Sequence, residues 1–302
     1  MSITVQPITP DFAAEIWDVD LSTPLSEADL EAVKQAFWKY AVLIFPEQKL
    51  TQQQHLDFAE YFGPHETTLG GHRADRKFRL PTKLADVSNI DNDGSILAEE
   101  TRRRKFGIAN QLWHTDSSFK YVPALCSLLY GRVIPPVGGY TEFADQRAAW
   151  DALPAEMKKK LEGLVAEHSI MTSRARLEFG DFDEEDQKEL PPVPQVLVRT
   201  IPESGRTSLY IASHCGRIIN MPERDGKELI EQLLAHGSQR QFVYTHRWRV
   251  NDLVMWDNRC TMHRATAFDD FRWPRDVQRA TIKDVANTCE QFGVLVEKAV
   301  PA

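Results

Sequence analysis

The sequence predicts a mainly β protein with flanking helices, of the jelly-roll or barrel kind, on three observations. From about residue 85 onward, short strand-like runs follow one another: LADVSNI, CSLLYGRVI, GYTEFAD, QVLVRTI, TSLYIA, QFVYTHRWRV, DLVMWDN and QRATIKDVA. Two amphipathic helices precede that series and are placed to buttress a sheet. No internal repeat and no break in composition divides residues 1–302, so one domain with helical inserts is expected.

Each element has a local reason. In 26-SEADLEAVKQAFWKY-40, Ser26 and Asp29 resemble a capping box, and Leu30, Val33 and Phe37 share one helical face. AVLIF at 41–45 reads as a short buried strand. In 51-TQQQHLDFAEYFG-63, Leu56, Ala59 and Phe62 form the inner face and Gly63 is a C-terminal stop. Helical inserts interrupt the strands at 147–168, where Pro154 splits two helices, and at 225–237. Two charged stretches, 91–107 and 181–194, read as loops of the length that often forms lids or binding loops. The TRRRK cluster at 101–105 is read as a solvated loop that could draw an anion toward the mouth of a site.

Composition narrows the function. With 44 acidic against 36 basic residues the net charge is −8, which disfavours nucleic acid or an anionic membrane as partner and leaves small molecules or proteins. The N-terminus has neither a basic nor an apolar leader region, and no run approaches the roughly 18 apolar residues of a membrane span, so a cytoplasmic protein is expected. The four cysteines, at 126, 215, 260 and 289, are scattered without a CxxC and signal neither a disulfide framework nor a zinc knuckle.

The stretch 111-QLWHTDSSF-119 sets His114 two residues from Asp116. By itself that spacing means little, since nine histidines and 22 aspartates in 302 residues produce His-x-Asp by chance about 0.7 times. His55-Leu56-Asp57 is a second copy inside the second helix, where residues two apart point about 200° away from each other. On a strand they share a face, so only the pair at 114 and 116 can converge on an ion. Two histidines and a carboxylate on one face of iron are the ligands of non-heme Fe(II) oxygenases. Among the remaining histidines, His263 in 253-LVMWDNRCTMHRATAF-268 lies just beyond a strand and is the candidate third ligand. Read locally, a hydrogen-bonded core or surface histidine is the favoured reading.

Several motifs in a fixed order carry a more specific signal. AVLIFPEQKLTQQQHLDFAEYFGP, NQLWHTDSSF, PPVGGYTEFADQRAAWDALP, VYTHRW, DLVMWDNRCTMHRAT and QRATIKD together resemble the Fe(II)- and 2-oxoglutarate-dependent dioxygenases of the taurine and 2,4-dichlorophenoxyacetate type. The resemblance runs from about Pro7 to Asp284, and long segments look most like the 2,4-dichlorophenoxyacetate branch. It implies a double-stranded β-helix core with His114, Asp116 and His263 as iron ligands. Thr141 matches a threonine that hydrogen-bonds the far carboxylate of 2-oxoglutarate, and Arg275 matches the arginine that pairs with it, a role suited to a planar, permanently charged fork. Arg279 matches the arginine that binds the anionic group of the substrate. Asn110 matches a substrate-contacting asparagine of the taurine relatives, His214 is either the counterpart of a substrate-approaching histidine in the aryloxyacetate branch or a satisfied structural histidine, and Trp256 is expected to pack beside the cosubstrate. Residues 275, 277 and 279 share one side of a strand, so both arginines are expected to point into one cavity.

The implied reaction consumes O2 and 2-oxoglutarate, releases succinate and CO2, and hydroxylates a small anionic substrate. For an aryloxyacetate, hydroxylation beside the ether oxygen gives a hemiacetal that collapses to a phenol and glyoxylate. An alkylsulfonate, taurine or an alkyl sulfate is the alternative substrate, because Arg279 serves either kind of anion and the segment 64–83 differs from its relatives. His72 and Arg73 in that segment could add a second anion contact. The carboxylate of Asp116 favours hydroxylation over halogenation, since halogenating relatives carry a small residue there. A cupin-like hydrolase or isomerase, or a metal-stabilised binding protein, would keep the same ligands without needing an arginine for 2-oxoglutarate. The resemblance further implies a homo-oligomer.

Overall fold

The computed structural model describes residues 3–71, 77–177 and 184–295. The chain begins with β1 (Thr4–Pro7), β2 (Ala14–Trp17), α1 (Glu27–Tyr40), β3 (Val42–Phe45), α2 (Gln52–Glu60) and β4 (Leu84–Asp86). It continues through α3 (Arg102–Ile108), β5 (Ala124–Val133), β6 (Thr141–Asp145), α4 (Gln146–Asp151), α5 (Ala155–Leu161), β7 (Val165–His168), α6 (Ile170–Ala175) and α7 (Glu184–Glu189). The remainder holds β8 (Val193–Val196), β9 (Val198–Thr200), β10 (Thr207–Leu209), β11 (Cys215–Ile218), α8 (Glu223–Gly237), β12 (Val243–His246), β13 (Leu253–Asp257), β14 (Thr261–Ala265), β15 (Asp276–Lys283) and α9 (Thr288–Gln291).

A seven-stranded sheet, in the order β1-β2-β3-β13-β5-β15-β4, is antiparallel except for the β2–β3 pair. Period-two alternation gives its two faces different partners. Cys126, Leu128 and Tyr130 of β5, Leu253 and Met255 of β13, and Ala280 and Ile282 of β15 pack with α1 and α2 residues such as Phe37 and Phe58. The intervening residues Leu129, Val254, Trp256 and Val277 face the other way and pack against Phe143 of a three-stranded sheet, β12-β6-β14. Behind that sheet, Ala144 and Met262 pack with α4 and α8. Two histidines of interest thus sit on or beside β14, on the inner sheet, and two arginines on or beside β15, on the outer one.

Several sequence expectations change in detail. The helix at 26–40 starts from Ser26, whose hydroxyl accepts the Asp29 N–H at 3.1 Å, but the full reciprocal capping box belongs to Thr51 and Gln54 at the start of α2. α1 ends at Ala41, which takes φ 60° and returns its N–H to Phe37. Residues 147–168 do split at Pro154 into α4 and α5, but the segment ends in the strand β7, whose Val165 and Ala166 are core residues rather than a helical face. The stretches 91–107 and 181–194 are not plain loops, since α3, α7 and β8 form within them. β14 was not anticipated as a strand, although it carries His263. Cys126, Cys215, Cys260 and Cys289 are all free and buried. Among the described residues no helix is long and apolar enough to cross a membrane.

Candidate metal and cosubstrate site

His114 and Asp116 do not lie on a regular strand. His114 forms an isolated antiparallel bridge with His263 of β14: the His114 N–H donates to the His263 carbonyl at 3.0 Å, and the His263 N–H returns to the His114 carbonyl at 2.7 Å. Asp116 follows in a turn, with Ser117 at φ 54°. Two direct backbone hydrogen bonds, rather than strand periodicity, therefore hold the histidines side by side. Their rings lie 4.1 Å apart, and the Nε2 atoms of His114 and His263 stand 4.0 and 3.8 Å from Asp116 Oδ1. One ligand atom from each residue falls within 4.8 Å of the others, a spacing that two metal–ligand bonds of about 2 Å nearly span. The copy at His55 and Asp57 diverges, with His55 buried and Asp57 exposed.

Protonation matches a metal site. Burial, joined for His263 by its neighbour His114, holds both imidazoles below their ordinary values and so neutral. Burial would raise the Asp116 carboxyl, but the Arg279 guanidinium, helped by the Ser127 hydrogen bond, outweighs it and keeps it ionised. The Nδ1–H of His114 donates to the Leu112 carbonyl at 2.7 Å, which leaves the Nε2 lone pair directed at the site. A neutral pair of imidazoles with an ionised carboxylate is the state in which these groups bind a metal, and the donor set suits Fe(II).

A cavity of about 640 Å³ opens beside these ligands, and Asn110, His114, Asp116, His214, Arg275 and Arg279 all line it. Arg275 precedes β15 and is 6% exposed, with only a long contact from Nη1 to the Val87 carbonyl at 3.4 Å and a buried, unpartnered Nε. Burial with no charged partner among the described residues depresses this guanidinium to about 10. Gly139 lies against it: a Cβ there would stand 3.3 Å from Arg275 Cδ, and the residue takes φ +64°. Both demands are met by glycine, which explains the second Gly of GGYT. Thr141, two residues on, is buried, and its hydroxyl accepts the Trp248 indole N–H at 3.0 Å while keeping its own proton to donate. A buried cation in the cavity wall fits an anionic cosubstrate.

Arg279, on β15, reaches Asp116 Oδ1 through Nη1. His214 is buried, with its ring 6.1 Å from that of His114 and 4.9 Å from that of Phe119. Trp256 lies behind the ligands: its ring is 4.7 Å from that of His263 and its N–H donates to Asn258. Thr141 and Trp256 back the cavity without forming its wall. His72 and Arg73 lie outside the described residues.

Sequence reasoning missed the residues that hold the ligands. Ser127 donates to Asp116 Oδ2 at 2.6 Å, and Asn258 accepts the Asp116 backbone N–H at 3.1 Å. A serine at an inward position of the apolar run CSLLYG was a usable signal for the first. The stretch 91–107, expected as a lid or binding loop, instead carries α3, and Arg104, expected to be solvated, is buried: it stacks on Phe271 at 3.7 Å and pairs with Asp270 at 2.7 Å, fixing α3 to the loop before β15.

This geometry defines a 2-His-1-carboxylate centre with a buried arginine beside it. Residues 4–281 match the family described as "Taurine catabolism dioxygenase TauD, TfdA family", and the chain belongs to that family. It is 42% identical over 95% of its length to 99% of the alpha-ketoglutarate-dependent 2,4-dichlorophenoxyacetate dioxygenase of Cupriavidus pinatubonensis. It is 34% identical, over 88% of its length and 90% of the relative, to the (S)-phenoxypropionate/alpha-ketoglutarate-dioxygenase of Sphingobium herbicidovorans. The crystal structure of AAD-2 in complex with Mn(II) and N-oxalylglycine superposes with a TM-score of 0.87 and 43% identity, covering 95% of this chain and 99% of that one.

Proposed function

We propose that this protein is an Fe(II)- and 2-oxoglutarate-dependent dioxygenase that oxidises small aryloxyalkanoate anions, with 2,4-dichlorophenoxyacetate as the reference substrate. The observation that carries the reading is Arg275, a buried cation with no carboxylate partner among the described residues, in the wall of the cavity that His114 and Asp116 also line, beside His263. A cation kept there at an energetic cost needs an anion to receive, which a hydrolase or a simple metal-stabilised binding protein would not require. The identities to aryloxyalkanoate dioxygenases support the same substrate class.

In this reading the two stacked sheets are a double-stranded β-helix core within a single domain spanning 1–302. His114, Asp116 and His263 hold Fe(II), and Arg275 with Thr141 holds the far carboxylate of 2-oxoglutarate. The bound metal and cosubstrate supply O2 activation, with 2-oxoglutarate converted to succinate and CO2 as the substrate is hydroxylated. Arg279 neutralises the substrate carboxylate, Asn110 and His214 border the substrate, and α3 pinned by Arg104 limits access of water. Hydroxylation next to the ether oxygen yields a hemiacetal that releases phenol and glyoxylate. The test is a coupled assay with Fe(II), 2-oxoglutarate and oxygen. Succinate and 2,4-dichlorophenol should form in equal amounts with 2,4-dichlorophenoxyacetate, and faster than succinate forms with taurine or an alkyl sulfate. Faster turnover of a sulfonate or sulfate would overturn the substrate assignment.

A further inference from the structure

Asp116 presents its two oxygens to different surroundings. Oδ1 faces the cavity, 3.8 Å from His263 Nε2 and 4.0 Å from His114 Nε2, and also meets Arg279 Nη1 there, whereas Oδ2 takes a hydrogen bond from Ser127 Oγ at 2.6 Å on the buried side. Ser127 and Asn258 are both 0% exposed, so no bulk water competes for these contacts.

The direction of every hydrogen bond in this group follows from counting protons. Asn258 Oδ1 lies 2.9 Å from the Trp256 indole nitrogen and 3.1 Å from the Asp116 backbone nitrogen, and both of those can only donate. The amide therefore cannot be flipped, and its Nδ2 must donate to Ser127 Oγ, 2.9 Å away. With that lone pair engaged, the single hydroxyl proton of Ser127 goes to Asp116 Oδ2. The Thr115 hydroxyl donates to the Asn258 carbonyl at 2.7 Å and ties the same turn down from the preceding residue. One carboxamide thus fixes the backbone of Asp116, the indole packed on His263, and the serine that selects which carboxylate oxygen is offered to the site.

We propose that Ser127 and Asn258 are positioning residues that reserve Asp116 Oδ1 alone for the metal. By engaging Oδ2, they would keep the carboxylate from taking a second place on a bound ion and leave the cavity side of the site to the cosubstrate and substrate. The inference rests on the reading of His114, Asp116 and His263 as a metal site, and it adds two residues that touch neither metal nor substrate. Outer partners of metal ligands that orient them in this way commonly contribute about 10–100-fold to metal affinity.

The full-length protein can be titrated with Co(II), following its visible ligand-field absorption, for the wild type, Ser127→Ala, Ser127→Thr and Ser118→Ala. Ser118 is a matched control, because its buried hydroxyl has no partner among the described residues although it lies two residues from Asp116. Ser127→Ala should bind Co(II) about 10–100-fold more weakly with an altered absorption spectrum. Ser118→Ala and Ser127→Thr, which keeps the hydroxyl, should bind within about threefold of wild type. Wild type that fails to bind Co(II) would refute the metal site itself. If wild type binds and Ser127→Ala matches it in affinity and spectrum, the positioning role is wrong. Should Ser127→Ala fail to fold, Ser127→Thr decides alone: native affinity and spectrum support the role, and a tenfold loss overturns it.

Discussion

Replacing Arg275 by methionine should move two measurable quantities in opposite directions. The side chain is 6% exposed, and burial alone depresses its guanidinium to about 10. At about 1.4 kcal/mol for each tenfold change in a protonation equilibrium, that depression corresponds to about 3 kcal/mol spent on holding the charge in place. Methionine fills similar space without the charge, so Arg275→Met should stabilise the ligand-free protein by up to about 3 kcal/mol, less whatever is lost in packing against Gly139. For a chain of this length that raises the melting midpoint by about 2–6 °C. The same substitution removes the partner of a buried carboxylate, a loss of about 2–5 kcal/mol, so the 2-oxoglutarate dissociation constant should rise by about 30-fold or more. Thermal unfolding with and without 2-oxoglutarate, at fixed Mn(II), reads both effects in one experiment. The wild type should melt lower alone and be raised strongly by the ligand, and the variant should melt higher alone and respond little. A variant that melts lower without ligand and keeps its response to 2-oxoglutarate would refute the assignment of Arg275 as a buried cation awaiting an anion.

Three further outcomes follow from other parts of the molecule. Arg279→Gln should raise the KM for 2,4-dichlorophenoxyacetate by about 10–150-fold, the worth of a charged hydrogen bond, and leave 2-oxoglutarate affinity within about threefold, as steady-state kinetics will show. Arg147 is buried, pairs with Asp145 at 2.9 Å and donates to the carbonyls of Lys39 and Asp11 at 3.0 Å, so Arg147→Ala should cost about 3–5 kcal/mol in chemical denaturation. His55 is buried in α2 and burial lowers its imidazole to about 4. Because the unfolded chain takes up this proton first, the stability is complete above about pH 6.5 and falls as the pH drops toward 4, by about 3 kcal/mol for this group. Denaturation of wild type and His55→Leu across that range should show a shallower pH dependence in the variant, and identical slopes would contradict the reading.

The fold class and the site were legible in the sequence for different reasons. Alternating apolar runs marked β5, β6, β13 and β15 because each has one face on a packed core. β14 escaped because its TMHRA carries polar residues toward the site, where function overrides the apolar pattern that a strand otherwise shows. The His114–Asp116 pair was worth little as a spacing, and the strand argument offered for it proved wrong in detail: an isolated bridge to His263 and a turn at Ser117 do the work. His263 was a candidate from its place just beyond a strand, but its role and those of Arg275 and Arg279 came through the family resemblance, since contacts across about 150 residues leave no local trace. Ser127 and Asn258 went unassigned because their role exists only once three separate segments are brought together.

The central claim is that one site holds both Fe(II) and 2-oxoglutarate, and it is tested most directly by anaerobic titration of the iron-loaded protein with 2-oxoglutarate. A weak visible charge-transfer band should grow and saturate in the wild type, and be absent in Asp116→Ala and displaced to much higher 2-oxoglutarate concentration in Arg275→Met. No band in the wild type, or the same band at the same concentrations in both variants, would contradict the account.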